Sequence, residues 1–120
     1  MTPTNELLEA FCRALAESSG PPPIGPPTHF LCDPEPLNGG FGDTVFLTLT
    51  AKDDNEQTVT TYVGPPDTII PSGVCNGPTD DGWADGVGTY ECTSSSAGDG
   101  TITFIDTVVG VIGTSNQHWS

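Results

Sequence analysis

Lysine and arginine are nearly missing from this chain: Lys52 and Arg13 stand against sixteen aspartates and glutamates, giving a formal net charge of −14 over 120 residues. A nucleic-acid ligand needs Lys and Arg to displace counterions from phosphate, and an anionic membrane surface makes the same demand, so the charge argues against both partners. Charged residues are only 15% of the chain, so the acidity reflects absent cations rather than an acidic coat. Its general effect is solubility and mutual repulsion. No apolar run approaches the ~20 residues of a membrane span. No secretory leader is visible in residues 1–15, which lack a basic start and whose apolar stretch is interrupted by Asn5, Glu6 and Glu9; either one has been removed or export proceeds without one. There is no GxSxG elbow, phosphate loop or dinucleotide fingerprint, and neither His29 nor His118 has a neighbour in sequence that would orient it as a base. Nothing supports an enzyme, and the expectation is a non-enzymatic protein.

What the chain has in quantity is proline and glycine, twelve and fifteen respectively. They concentrate in residues 20–40, GPPPIGPPTHFLCDPEPLNGG, between two stretches of different character. Proline fixes φ, lacks an N–H, and pushes the preceding residue toward extended geometry. This segment therefore reads as an extended arm, neither helix nor central strand, with polyproline-like reach at ~3.1 Å per residue. Before it, Thr2 and Pro3 read as a helix start, and Leu8, Phe11, Cys12 and Leu15 recur at i, i+3, i+4 and i+7 with Leu7 widening the stripe. An isolated helix of this length is marginal in water, so its apolar face must dock, either on its own body or on a neighbouring subunit. The organisation is then an N-terminal helix (1–19), an arm (20–40) and a β-rich body (41–120).

In the body, residues 44–51 alternate cleanly, with Val45, Leu47, Leu49 and Ala51 on one face. Residues 57–63 resume the alternation and suggest a hairpin. A long irregular loop is expected over 72–87, then strands over 88–93 and 101–105, with 107–112 as a continuation or last strand. Short runs punctuated by Gly and Pro indicate a mainly β fold, a small antiparallel sandwich or barrel. A body of about 80 residues supplies a thin core that calls for outside help.

The four cysteines, Cys12, Cys32, Cys75 and Cys92, form no CxxC and give little support to zinc. Three pairings are open; Cys12 with Cys32 and Cys75 with Cys92 would each close a local segment and stabilise by about 3 kcal/mol, and free structural thiols are the rival. Disulfides would require an oxidising destination, hence an extracellular or virion setting. The loop 76–88 gathers Asp80, Asp81 and Asp85 around Trp83. Calcium takes six to eight oxygens, so these carboxylates are a candidate calcium site, though without EF-hand spacing. The alternatives are a sugar stacked on Trp83, or a solvated loop with Trp83 folded inward. No other cofactor is implied. Trp119, next to the end, should pack on the body or on a partner.

A compact β-rich domain behind an extended N-terminal arm resembles, in outline, the small decoration and accessory proteins of tailed-phage virions. The resemblance covers roughly residues 1–51, rests on architecture without a motif, and departs in its leading helix and four cysteines. It implies a structural subunit of a symmetric assembly, a homo-oligomer or larger shell, and carries over no individual residue; read from the chain itself, the apolar Leu8, Phe11, Leu15, Ile24, Phe30 and Trp119 are the expected contact residues. A secreted or surface binding module for carbohydrate or a receptor, using the Trp83 loop, is the alternative.

Overall fold

The computed structural model describes residues 22–120. They form eight strands: β1 (His29–Asp33), β2 (Leu37–Gly39), β3 (Val45–Lys52), β4 (Thr68–Gly73), β5 (Thr79–Ala84), β6 (Val87–Cys92), β7 (Gly98–Asp106) and β8 (Val111–Trp119). The sheet order is β4-β7-β8-β1-β3-β6-β5, and β2 pairs with β8. Both β1 and β2 run parallel to β8, while β1–β3, β3–β6, β5–β6, β4–β7 and β7–β8 are antiparallel. The mainly β expectation holds, as one curled mixed sheet. The expected N-terminal helix, with Leu8, Phe11, Cys12 and Leu15, lies outside the described residues.

One face of this sheet carries the core. Along β3, Leu47, Leu49 and Ala51 are buried and the residues between them are not, as the alternation requires. Phe30 and Cys32 of β1, Tyr90 and Cys92 of β6, Ile102 and Phe104 of β7, and Val111 and Trp119 of β8 join them. An apolar face must be covered, and this sheet covers its own by curling. Tyr90 and Phe104 show the closure: β3, β1 and β8 separate their strands in the sheet, yet their rings meet at 4.9 Å between centroids. Further ring contacts run from Phe30 to Tyr62 and Trp83, and from Trp83 to Tyr90. Such pairs add about 0.5–1.5 kcal/mol each beyond the area they bury.

Three expectations are corrected. The arm ends sooner than residue 40, because β1 and β2 belong to the sheet and β1 is central, between β8 and β3. The prolines allow this because Pro27, Pro34 and Pro36 all fall outside the strands, leaving HFLCD free to pair in full with β3. The hairpin at 57–63 is reduced to a single bridge between Lys52 and Thr58. Beyond it the chain turns, so that Val59 and Tyr62, three residues apart, both point inward while Val63 is 73% exposed. The loop at 72–87 instead contains β5, hairpinned to β6 with a bulge between Asp80 and Trp83.

The expected Cys75–Cys92 bridge is also corrected, since Cys32, Cys75 and Cys92 are buried free thiols. Gln117 engages two of them. Its Oε1 accepts from Cys75 Sγ at 3.4 Å and its Nε2 donates to Cys92 Sγ at 3.7 Å, so one buried amide uses both sulfurs. The same amide accepts from Trp119 Nε1 and donates to Ser115 Oγ. A polar group at 3% exposure is thus satisfied, as burial demands. The partner proposed for Cys32, Cys12, lies outside the described residues.

Candidate functional site

The remaining arm, residues 22–28, is held where Thr28 donates to the Lys52 carbonyl beside β1 and, further out, at Gly25. Asp53 is 2% exposed, and its Oδ2 accepts from the Gly25 N–H at 3.0 Å while Oδ1 accepts from Asn55 and Gln57. The Gly25 bond first, then that from Gln57, holds this carboxyl below the ordinary carboxylate range. His29 Nε2 meets Glu56 at 2.6 Å beside this clasp. Replacing Asp53 with Ala is expected to speed hydrogen exchange at the Gly25 amide while the β3 and β8 amides stay protected. Acidification should lower the protection of that amide relative to its intrinsic exchange rate at each pH. A depressed folded pKa contributes stability above the unfolded value and loses it as pH falls through the folded one. Unchanged Gly25 exchange in the variant would show that the arm is held elsewhere.

From the clasp the arm passes Pro27, which forms one wall of an open apolar groove of about 460 Å³. The opposite walls are the turn at 61–65 and the β7–β8 turn carrying Val108 and Val109. Two carboxylates pin the second turn. Asp106 accepts from the Tyr62 hydroxyl at 2.8 Å and from the Val108 and Val109 amides. Asp67 accepts from the amide and hydroxyl of Thr107 and from the Thr68 hydroxyl. The Thr107 hydroxyl bond chiefly keeps Asp67 below the usual carboxylate range. Burial, with the bond to Asp106, pushes the Tyr62 phenol far up. These polar groups are already engaged in holding the turn. What faces solvent is mostly apolar, with Val63 at 73%, Val108 at 87% and Val109 at 47% exposure beside Thr61 and Asp67. The groove therefore suits binding of an apolar surface.

A second depression of about 510 Å³ lies over β4, β7 and β8 and includes Ser72, Asp99 and His118. His118 Nδ1 and Asp99 Oδ1 are 2.5 Å apart. A serine in the same wall as a His–Asp pair invites comparison with a catalytic triad, but the strand register separates them. Asp99 pairs with His118 and Ser72 with Thr101, so Ser72 is two strands across and two residues along from His118. Strand spacings of ~4.8 Å and ~3.4 Å per residue put the gap at roughly 12 Å, beyond proton transfer.

The remaining sequence candidates fall as follows. Phe30 and Trp119 are 5% and 0% exposed, so both are spent on the chain's own core rather than on contacts between subunits. Ile24 is 54% exposed on the arm. Trp83 packs against Phe30, Tyr62 and Tyr90, and its Nε1 donates to the Tyr90 hydroxyl. Gly88 makes room for it: a Cβ there would lie 2.2 Å from the indole. Its ring is turned inward and offers no stacking platform for a sugar. Asp80 accepts from the Gly82 amide, Asp81 lies against Glu91 and raises that carboxyl, and Asp85 sits in a turn at φ 53°. Among the described residues no group of three His, Cys, Asp or Glu is placed to hold a metal ion. The groove itself is hard to see in the sequence, where Val63, Val108 and Val109 read as strand residues; the Gly64-Pro65 and Val109-Gly110 breaks are the signals that mark them as turn residues.

No family model matches the chain, and no curated protein does. Among solved structures it is similar to the crystal structure of domains 4 and 5 of the S-layer protein SbsC, with a TM-score of 0.53 and 12% identity over 75% of this chain. The matched region spans half of that structure's length. At this identity the likeness is one of fold.

Proposed function

We propose that this chain is a non-enzymatic structural subunit of a self-assembling protein layer or shell exposed outside the cell, and within that class a virion decoration or accessory protein. The observation that carries the reading is the apolar groove beside the arm, where Val108 and Val109 project from a turn held by Asp106 and, among the described residues, stay uncovered. An exposed apolar patch held rigid marks a contact surface. The likeness in fold to domains of an S-layer protein supports the layer or shell class; the virion assignment within it rests on the outline read from the sequence alone, with an arm that the sheet shortens to the residues before β1. The strong negative charge keeps free subunits apart until a specific contact overcomes it.

Native mass spectrometry and sedimentation of the full chain and of a form lacking residues 1–21 test this. The full chain should assemble above the monomer mass. The shortened chain should remain a folded monomer, because the deletion stops short of β1. A full chain that stays monomeric at every concentration, or a shortened one that assembles equally well, would overturn the proposal.

A further inference from the structure

The two outermost strands bear on how copies can meet. An open sheet edge presents unpaired N–H and C=O groups to any second strand, and proteins blunt such edges with proline, charge or bulges. Here β4 carries Pro71 and β5 carries both Asp80 and Asp81 and the bulge before Trp83. Both edges are blunted, so growth by strand addition is disfavoured at either end. The contact must be made elsewhere.

Resting on the assembly reading above, we infer that the groove between Pro27, Tyr62, Val63, Val108 and Val109 receives the apolar stripe Leu8, Phe11, Cys12 and Leu15 of a second copy of this chain. Residues 1–21 lie outside the described part and end at the arm. Their stripe has the i, i+3, i+4, i+7 spacing by which an amphipathic helix fills an apolar groove. The occupant comes from another copy for a reason of reach. Gly25 is fixed to Asp53, and the run Pro21-Pro22-Pro23 that precedes it resists doubling back because each ring fixes φ. Those three rings leave the chain little freedom to bring the stripe back to the groove lined by Pro27, two residues beyond the clasp.

Charge agrees with this occupant. Arg13 and Lys52 are the chain's entire complement of lysine and arginine. Lys52 Nζ already donates to Thr58 within the body. Arg13 lies inside the proposed anchor, and the groove's rim offers Asp67, kept ionised by Thr107. A chain that repels its copies at every other point therefore has one cation to place beside a carboxylate at the contact.

Cys12, in the stripe, provides the test. Val108→Cys sits at an 87% exposed position, so the variant folds, and its near-ultraviolet circular dichroism checks this. Mild oxidation of the full-length variant with diamide, which takes up the two electrons and two protons released, should give a product of twice the chain mass on a non-reducing gel. Adding Cys12→Ser should abolish it, while a product joining the two introduced thiols to each other would survive that change and count against the inference. A cross-linked monomer, running ahead of the reduced chain, would show the stripe lying in its own groove and overturn the second-copy assignment. Absence of any cross-link, in a chain that native mass spectrometry shows to be assembled, would remove the groove as the docking site and leave the structural role standing. A chain that is monomeric by mass would overturn both.

Discussion

Replacing Trp119 with alanine is expected to cost about 3–5 kcal/mol, a large part of the ~5–15 kcal/mol that holds a domain of this kind. The indole is fully buried one residue from the end of the chain, and Gly39 lies so close that a Cβ there would sit 2.7 Å from the ring. It therefore closes the junction of β2 and β8, which pair through Gly39 and Trp119. The loss is more than a cavity. Trp119 Nε1 donates to Gln117 Oε1, and Gln117 in turn engages Cys75, Cys92 and Ser115. Truncation removes a donor from a buried amide whose partners are all buried with it, and leaving such groups short adds to the penalty. Trp119→Phe, which keeps most of the ring but not the N–H, should fall between the two. Urea unfolding measures all three, and an alanine variant within about 1 kcal/mol of the parent would mean that the core does not depend on this residue.

Raising the pH from 8 to 11 should unfold the chain steeply. Burial pushes the Cys32 thiol up to about 12, the Cys92 thiol up to about 11 and the Tyr90 phenol up to about 12. Nearby Glu35 adds to the first, and the Gln117 hydrogen bond partly offsets the second. Unfolded thiols and phenols titrate near roughly 8.5 and 10. A folded pKa raised above the unfolded one means that the native state holds its proton longer. Stability is then complete below the unfolded value and is lost as pH rises through the interval up to the folded one. Each unit of pKa is worth about 1.4 kcal/mol, so groups shifting together amount to several kcal/mol between about pH 9 and 12. The negative charge already present acts in the same direction. Thermal unfolding followed by circular dichroism at stepwise pH is the measurement, and a midpoint unchanged from pH 8 to 11 would contradict it. Cys92→Ala should soften the alkaline limb even though it lowers stability at neutral pH.

These dependences centre on residues whose strands the sequence shows unevenly. β3 is readable because its inward positions are all apolar and its outward positions include Thr48, Thr50 and Lys52. β8 has an equally strict alternation, but its inward residues are Val111, Gly113, Ser115, Gln117 and Trp119, so period two is present in burial and nearly absent in hydropathy. Gly113 is small there because Phe30 lies over it, at 2.5 Å from where a Cβ would be. Ser115 and Gln117 are tolerated because they bond to each other and Gln117 also bonds to the thiols. Neither reason is visible in one dimension. β1 is hidden differently, by prolines that flank a five-residue strand without entering it. The groove is illegible for a third reason: it joins the arm to two separate turns, and its valines look like strand residues until the fold shows that the chain reverses beside them.

The central place of β1 has a mechanical consequence. It follows directly on the arm, and its neighbour β8 ends the chain while running in the same direction. A pull between an anchored amino terminus and the carboxyl end would drive β1 and β2 lengthwise against β8 and load their backbone bonds side by side. Such bonds must yield together, whereas a peeled hairpin gives way one rung at a time. In a layer whose subunits are tied through their amino-terminal segments, tension would enter each domain along its most resistant direction.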